Sequence, residues 1–267
     1  MNASPISVFI LCGGQGTRLR EETEFKPKPM VRIGDRPILW HIMKIFDHYG
    51  FKNFVLCLGY KSEIIKDYFL NHRTHHGSCR VDLRDGSVQP IGDSALREDW
   101  RVALLDTGLD TLTGARIKRA LRHVDDRRFF VTYGDGVADI NIDSLLAHHQ
   151  RAGRLVTITA VRPSSRFGEL DLQGDQVRSF QEKPQVGEGW INGGFMVFER
   201  EALEILPDGE NAPLETAVLE KLSRQGQVSV YRHDGFWQCM DTYREVQLLE
   251  EHWHSGRAAW CTWERES

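Results

Sequence analysis

A short glycine-rich segment near the start of the chain has the residue types of a phosphate-binding loop. Gly13-Gly14-Gln15-Gly16 follows an apolar run over 7–12 that is typical of a buried strand. Glycines at the carboxyl end of such a strand let backbone N–H groups approach an anion closely. Two common phosphate loops do not fit, because Thr17-Arg18 replaces the Lys-Ser/Thr of a Walker loop and Leu19 replaces the third glycine of a dinucleotide loop. A tight strand-to-helix turn is the alternative interpretation.

Two lysines follow in the stretch Lys26-Pro27-Lys28-Pro29. The prolines exclude a helix interior and keep the backbone extended. Ammonium groups on such a stiff segment could project toward phosphates bound at the glycine segment. The ordinary alternative is a solvated loop with surface lysines.

Two aspartates, Asp135 and Asp241, stand where they could hold a metal ion. Asp135 lies between two glycines after an apolar run over 129–132, which predicts a position at the carboxyl end of a strand, beside the glycine segment. Asp241 follows a turn that leads into the last predicted helix, and it could approach from the other side. Because Mg²⁺ prefers oxygen ligands and keeps several waters, two carboxylates with phosphate oxygens suffice. Aspartates beside glycines are also typical of ordinary turns.

The hydrophobic pattern predicts the sheet that must position these residues. In the first part of the chain, strands are predicted over 7–12, 53–58, 102–105, 129–133 and 155–161, with helices over 37–49, 62–71, 115–123 and 142–151. This alternation favours parallel strands joined by right-handed crossovers. The stretch 74–100 is expected to be irregular apart from a strand near 80–83. After Pro163, strands are predicted over 169–172, 176–182, 190–198 and 228–232, and helices over 201–206, 214–225 and 242–254.

Composition limits the class of protein. The 267 residues are 40% hydrophobic, enough for one sizeable core. Net charge is −4 with no basic block, which argues against nucleic acid as a partner. No apolar run approaches the roughly 20 residues that span a membrane, and the start lacks a signal peptide's apolar stretch, so a cytoplasmic location is expected. The five cysteines include no C-x-x-C pair, so neither a disulfide framework nor a zinc site is expected.

The chain resembles the sugar-phosphate nucleotidyltransferase family, and within it the glucose-1-phosphate cytidylyltransferases. The resemblance covers nearly the whole chain and rests on blocks in one order: 11–19 (LCGGQGTRL), 21–30 (EETEFKPKPM), 37–44 (PILWHIMK), 59–61 (GYK), 111–119 (TLTGARIKR), 133–139 (YGDGVAD), 180–184 (FQEKP), 191–195 (INGGF) and 235–242 (GFWQCMDT). It implies an α/β, Rossmann-like fold with a mixed, mostly parallel central sheet flanked by helices. It also implies one domain over 1–267, with a nucleotide-binding portion over 1–162 and a smaller, β-rich sugar-binding portion over 163–267.

The resemblance also implies roles for particular residues. The implied nucleotide contacts are Leu11, Gly13, Gly14, Gln15, Gly16, Thr17, Arg18, Lys28, Thr111 and Arg116. The implied contacts to the sugar phosphate are Tyr133, Gly168, Glu182, Lys183 and Asn192. Asp135 and Asp241 are the implied Mg²⁺ ligands, and Arg18, Lys28 and Asp135 are the implied catalytic residues.

The implied reaction joins CTP to glucose 1-phosphate by Mg²⁺-assisted in-line displacement and gives a nucleotide sugar and pyrophosphate. A different nucleotide, or a different hexose or heptose 1-phosphate, stays open. The reason is that Leu214, Ala217 and Val218 depart from the pattern of the relatives, as do Cys239 and Tyr243.

Two further functional classes are weighed against this reaction. A regulatory relative of the same fold could dispense with the charged residues that are all present here, and a nicotinamide oxidoreductase is disfavoured by Leu19 and by the proline-lysine segment. Family resemblance predicts a homo-oligomer, with Trp260 and Trp263 of the tail offered as a contact surface.

Overall fold

The computed structural model describes residues 6–91, 98–163, 169–173, 176–181 and 189–264. The strands are β1 (Val8–Cys12), β2 (Arg32–Ile33), β3 (Arg36–Pro37), β4 (Asn53–Leu58), β5 (Ser78–Asp82), β6 (Ser87–Ile91), β7 (Arg101–Asp106), β8 (Arg128–Tyr133), β9 (Gly136–Ala138), β10 (Val156–Val161), β11 (Glu169–Gln173), β12 (Gln176–Gln181), β13 (Ile191–Glu199), β14 (Val228–His233) and β15 (Trp237–Cys239).

The helices alternate with these strands. They are α1 (Arg20–Thr23), α2 (Ile38–His48), α3 (Ser62–Leu70), α4 (His72–His75), α5 (Thr113–Ala120), α6 (Ile142–Ala152), α7 (Glu220–Arg224) and α8 (Tyr243–His254). Short 3₁₀ turns cover Thr17–Leu19, Lys28–Met30, Leu121–His123, Arg200–Leu203 and Thr262–Glu264, and a π-helical turn covers Glu215–Leu219.

Seven strands form the central sheet in the order β14-β10-β13-β8-β1-β4-β7. Strands β1, β4, β7 and β8 are parallel to one another, and β10 is parallel to β14. Strand β13 pairs antiparallel with both β8 and β10. The predicted mixed, mostly parallel sheet is therefore confirmed, and β13 brings its start to the edge where its neighbours end.

Strand β1 shows why the sheet is buried on both faces. Val8, Ile10 and Cys12 belong to an apolar cluster that includes α2, whereas Phe9 and Leu11 belong to a second cluster that includes α5. Because successive side chains of a strand point to opposite faces, the two clusters lie on the two sides of the sheet.

Some elements outside the central sheet differ from the prediction. The predicted helix over 201–206 is a single 3₁₀ turn, Arg200–Leu203, followed by Pro207, which cannot donate a helical hydrogen bond. The stretch 74–100, predicted to hold one strand, contains the paired strands β5 and β6. Most side chains of this hairpin are exposed, so neither strand carries the apolar alternation that marks a half-buried strand.

The C-terminal tail packs onto the core of its own subunit. Trp260 is fully buried, so its predicted role as a subunit contact is wrong. Its indole N–H donates to Nδ1 of His41 at 3.3 Å, and Nε2 of His41 lies 3.0 Å from the Ile33 carbonyl oxygen. Over the described part of the chain, no helix is both long and apolar enough to cross a membrane.

Candidate active site

The carboxyl ends of β1 and β8 bring the glycine segment and Asp135 to one edge of the sheet. The two strands are parallel neighbours, with Leu11 opposite Tyr133, so the residues that follow each strand lie side by side. Asn192 reaches the same edge because β13 runs the other way and begins there. The predicted position of Asp135 at a strand end is thus confirmed.

Asp241 is brought to Asp135 by a two-stranded ribbon that the sequence did not predict. Strand β15 pairs antiparallel with β9, and Cys239 lies opposite Gly136. The backbone N–H of Met240 then donates to the carbonyl oxygen of Asp135 at 2.8 Å. The ribbon therefore places the two aspartates next to each other although they are distant in sequence.

The start of α8 holds Asp241 in place. Glu245 accepts hydrogen bonds from the backbone N–H groups of Asp241 at 2.6 Å and Thr242 at 2.8 Å. Thr242 and Glu245 form a capping box, in which each side chain satisfies a backbone donor of the other. The Asp241 backbone is thereby fixed from its carboxyl side as well as by the ribbon.

Lys28 bridges the two aspartates. Its Nζ lies 2.6 Å from Oδ2 of Asp135 and 2.5 Å from Oδ1 of Asp241, and Nη1 of Arg18 lies 2.7 Å from Oδ2 of Asp241. Burial disfavours the charged form of Lys28, but the two carboxylates outweigh it and raise the pKa of this lysine above its ordinary value. Lys28 is therefore a permanent positive charge at the centre of the site.

The proline-lysine segment delivers Lys28 by packing against the loop after β8. Pro27 is extended and Lys28–Met30 forms a 3₁₀ turn. A Cβ added at Gly134 would lie 2.8 Å from Cγ of Pro29 and 3.0 Å from the Leu11 carbonyl oxygen, so only glycine allows this close approach. Lys26 points elsewhere and pairs with Glu22 at 2.8 Å.

The glycine segment presents an open surface beside this group of charges. Gly14, Gln15, Thr17 and Arg18 are exposed. Among the described residues, no heavy atom lies within 4 Å of a Cβ added at Gly14, so a ligand can approach the backbone there. Gly16 adopts a left-handed conformation with φ +63°, which turns the chain into the following 3₁₀ turn.

Arg116 supports the glycine segment from behind. Its buried guanidinium donates to the carbonyl oxygens of Gly13, Leu58, Gly108 and Leu109 and to the hydroxyl of Thr107, at 2.6–3.1 Å. A Cβ at Gly13 would lie 2.2 Å from Cζ of Arg116, and one at Gly59 would lie 2.5 Å from its Nη1. The sequence could not reveal this reason for the two glycines.

The two nucleotide contacts implied in the block 111–119 are both buried in that supporting layer. Thr111 is 7% exposed and accepts a hydrogen bond from Arg119 at 2.7 Å, while Arg116 is 4% exposed. Their contact with a nucleotide stays a prediction. In the structure, both residues belong to the hydrogen-bonded layer behind the glycine segment.

The sugar-side residues are described in part. The Tyr133 phenol donates to Oε1 of Glu215 at 2.6 Å, and Oδ1 of Asn192 accepts from the backbone N–H of Gly194 at 3.0 Å. Sequence reasoning did not select Glu215 as a site residue. Gly168, Glu182 and Lys183 lie outside the described residues, and their roles stay predictions.

Three of the departures from the relatives lie in the core. Leu214 and Val218 are fully buried and Ala217 is 8% exposed, all in the second apolar cluster. Tyr243 instead lies half-exposed in a surface cleft with Lys26, Arg32 and Glu250. The first three substitutions therefore repack a helix and do not line the charged site.

The paired carboxylates fit a divalent metal with oxygen ligands. Asp135 and Asp241 both reach one point, since both lie within hydrogen-bond distance of the same Lys28 nitrogen. No group of three or more His, Cys, Asp or Glu side chains that could hold a metal occurs in the described residues. Mg²⁺ needs only one or two carboxylates when phosphate oxygens and waters complete its shell.

Comparison with known proteins agrees with this geometry. The sequence model of the nucleotidyl transferase family matches residues 7–252. The glucose-1-phosphate cytidylyltransferase of Salmonella typhi is 45% identical over 260 residues, which cover 97% of this chain and 100% of the relative. A probable glucose-1-phosphate cytidylyltransferase of Bacillus subtilis is 42% identical over 258 residues with the same coverage. The crystal structure of HddC from Yersinia pseudotuberculosis has the same fold, with a TM-score of 0.66 at 23% identity over 93% of this chain and 99% of that one.

Proposed function

Because this chain belongs to the nucleotidyl transferase family, we propose that it transfers the cytidylyl group of CTP to glucose 1-phosphate and forms CDP-glucose and pyrophosphate. The observation that carries the proposal is Lys28 between Asp135 and Asp241, beside an open glycine segment. The choice of CTP and glucose 1-phosphate is supported by the names of the two relatives, each matched over its whole length.

The proposed reaction is an in-line displacement at phosphorus. An oxygen of the sugar phosphate forms a bond to the α-phosphorus of CTP, the bond from that phosphorus to the bridging oxygen breaks, and the electron pair leaves with pyrophosphate. The attacking phosphate oxygen is already ionised, so no general base is required. The barrier lies mainly in bringing two anions together, which positioning and fixed positive charge can lower.

Lys28 supplies the buried part of that positive charge. In the described structure its ammonium and the guanidinium of Arg18 together balance the charge of the two aspartates. A triphosphate on the glycine segment would bring phosphate oxygens that compete for the same ammonium. Its raised pKa keeps Lys28 protonated at neutral pH, so it can exchange a carboxylate partner for a phosphate partner without losing its charge.

Asp135 and Asp241 would hold the divalent ion once Lys28 turns to the phosphates, and Mg²⁺ is the ion that we propose. When bound, such an ion neutralises phosphate oxygens and stabilises the charge that develops in the transition state. Nη1 of Arg18 lies 2.7 Å from Oδ2 of Asp241, and the Arg18 side chain is 73% exposed. Its guanidinium can therefore turn toward the triphosphate.

The hydrogen-bonded layer behind the glycine segment would orient the nucleotide. Arg116 fixes the carbonyl groups of Gly13 and Leu109 through charge-assisted hydrogen bonds. We propose that the base and ribose bind on this loop. Thr111 and Arg116 would set how deeply the nucleotide enters the site. A homo-oligomeric assembly and a cytoplasmic location remain proposals that rest on the resemblance and the composition.

The experiment that tests this function is a substrate matrix. Each of CTP, UTP, dTTP, GTP and ATP is mixed with each of several sugar 1-phosphates, and pyrophosphate release and the nucleotide sugar are measured. The regulatory alternative is separated from the enzymatic one by the same assay, because a relative without activity releases no pyrophosphate with any pair.

A further inference from the structure

Glu215 accepts hydrogen bonds from two segments of the candidate site. Its Oε2 accepts from the Thr113 hydroxyl at 2.9 Å, and its Oε1 accepts from the Tyr133 phenol at 2.6 Å. Thr113 belongs to the block implied in nucleotide binding, and Tyr133 directly precedes the loop that carries Asp135. One carboxylate therefore contacts both segments.

We propose that Glu215 is a positioning residue that fixes Tyr133 as a hydrogen-bond acceptor toward a hydroxyl of the sugar 1-phosphate, and that the segment of Thr113 anchors Glu215 in this position. The inference rests on the proposed function. It assigns a role to a residue that the sequence blocks do not single out.

The direction of the hydrogen bonds supports the role of Tyr133 as an acceptor. A phenol has one donor, and Tyr133 gives it to Glu215, so only the lone pairs of the phenol oxygen remain for other partners. Asn192, at the start of β13, accepts at its Oδ1 from the backbone N–H of Gly194 at 3.0 Å.

This arrangement requires a hydrogen-bond donor on the ligand. A sugar hydroxyl that reaches Tyr133 must donate, because the phenol offers no second proton. A site with fixed polarity discriminates strongly against an analogue that lacks the matching group, since the buried partner is then left unpaired. Tyr133 held by Glu215 is therefore suited to read one hydroxyl of the sugar.

The backbone around Glu215 supports the second part of the proposal. Hydrogen bonds join segment 211–215 to segment 110–115. The Asn211 side chain donates to the Asp110 carbonyl oxygen and accepts from the Leu112 N–H. The Ala115 N–H donates to the Ala212 carbonyl oxygen, and the Leu214 N–H donates to the Thr113 hydroxyl. A Cβ added at Gly114 would lie 3.0 Å from the Ala212 carbonyl oxygen. The two segments are therefore joined by four hydrogen bonds.

The local backbone at Glu215 is also unusual. The π-helical turn Glu215–Leu219 begins at this residue and passes into α7. Such turns are rare and occur frequently at functional sites. Here the turn starts at the residue whose carboxylate leaves the helix toward Thr113 and Tyr133.

A double-mutant cycle tests the proposal. Glu215→Ala and Tyr133→Phe are each expected to lower kcat/KM for glucose 1-phosphate by about tenfold to a few hundredfold, mainly through KM for the sugar, while KM for CTP changes less than about threefold. The double variant is expected to be no worse than the poorer single variant. Glu215→Gln is expected to stay near wild type, because its amide oxygen still accepts from Tyr133 and its NH₂ can donate to Thr113.

A deoxy-sugar panel identifies the hydroxyl. With glucose 1-phosphate analogues that each lack one hydroxyl, one analogue is expected to show no further loss on Tyr133→Phe. Glu220→Ala, on the exposed side of the same helical stretch, is the matched control and should match wild type. If Glu215→Ala does not fold, Thr113→Val with Tyr133→Phe applies the same cycle through the two partners of the carboxylate.

Two outcomes contradict the proposal in different ways. Additive losses in the double variant, or equal rises of both KM values, would show that Glu215 only stabilises the fold, and they contradict this inference alone. Absence of turnover by the wild-type protein with every substrate pair contradicts the proposed function and this inference with it.

Discussion

Nζ of Lys28 lies 2.5 Å from Oδ1 of Asp241, and the same nitrogen also contacts Asp135. A lysine from the first part of the chain thus neutralises an aspartate that lies between the β9–β15 ribbon and α8. If the site binds a triphosphate and a divalent ion as proposed, phosphate and carboxylate oxygens would compete for this ammonium.

Lys28→Met is expected to reduce kcat by about 10²–10³-fold, because a preorganised positive charge at the phosphates is lost. It should also raise the Mg²⁺-dependent gain in thermal stability, since the two carboxylates lose their cation and bind the metal without competition. Thermal unfolding with and without Mg²⁺ measures this second effect in the absence of turnover. An unchanged gain in Lys28→Met would show that the ion does not occupy the place beside Asp135 and Asp241.

Asp135→Asn and Asp241→Asn are each expected to lower turnover by several orders of magnitude with the fold intact, because each removes charge from the site that holds the ion. Steady-state kinetics at saturating substrates, with thermal unfolding as a check, measures both. Asp143→Asn is the control, since Asp143 is exposed in the first turn of α6. A turnover near that of wild type for Asp135→Asn at ordinary Mg²⁺ concentrations is incompatible with its assignment as a ligand.

Gly13→Ala and Gly14→Ala are expected to differ although the residues are neighbours. At Gly13 the added Cβ would lie 2.2 Å from Arg116 Cζ, and displacing this guanidinium breaks several buried hydrogen bonds, so a loss of about 1–3 kcal/mol of unfolding free energy is expected. At Gly14 the space is open, so stability should stay within about 0.5 kcal/mol while KM for CTP rises. Denaturant unfolding and CTP kinetics measure the two effects. Equal stabilities for the two variants would contradict the role given to Arg116.

His41 is expected to make the fold sensitive to acid. Burial lowers its pKa from 6.5 to about 4, and this effect outweighs the hydrogen bond to the Ile33 carbonyl oxygen, which by itself raises the pKa. The folded state thus favours the neutral ring, and its contribution is complete above pH 6.5 and is lost as pH falls toward 4. The unfolding free energy should decrease by on the order of 3 kcal/mol over that window through this residue.

Denaturant titrations at several pH values, on wild type and His41→Gln, measure this dependence. The variant should show a weaker dependence between pH 6.5 and 4, whereas His254→Gln, at an exposed position of α8, should behave as wild type. Identical slopes for wild type and His41→Gln would contradict the assignment.

The parallel core could be predicted from the sequence because its strands are short apolar runs separated by helical patterns. β4 coincides with the predicted strand, and Asp135 lies where a strand end was expected. Lys28 lies on the proline-lysine segment, as the sequence shows, but its partners in the structure are carboxylates, and its contact with phosphate stays a prediction. Local pattern is enough for such residues because the sheet fixes their position.

The remaining contacts depend on pairing between distant segments that leaves no local pattern. The β9–β15 ribbon is three residues long on each side, too short for any periodicity, yet it places Asp241. Arg116 appears in the sequence as one arginine of a helix, and only the fold shows four carbonyl groups around it. Glu215 was not selected from the sequence, because its contacts to Thr113 and Tyr133 start at a π-helical turn that no sequence signal marks.

The most direct test of the central claim is the specificity constant for each nucleotide with each sugar 1-phosphate, measured by pyrophosphate release in the presence of Mg²⁺. The similarity to the two relatives predicts that CTP with glucose 1-phosphate gives the highest kcat/KM and that the product is CDP-glucose. A higher value for another nucleotide or another sugar 1-phosphate would contradict the assignment of substrates. No pyrophosphate from any pair, with a folded protein, would contradict the proposal that this chain is a nucleotidyltransferase at all.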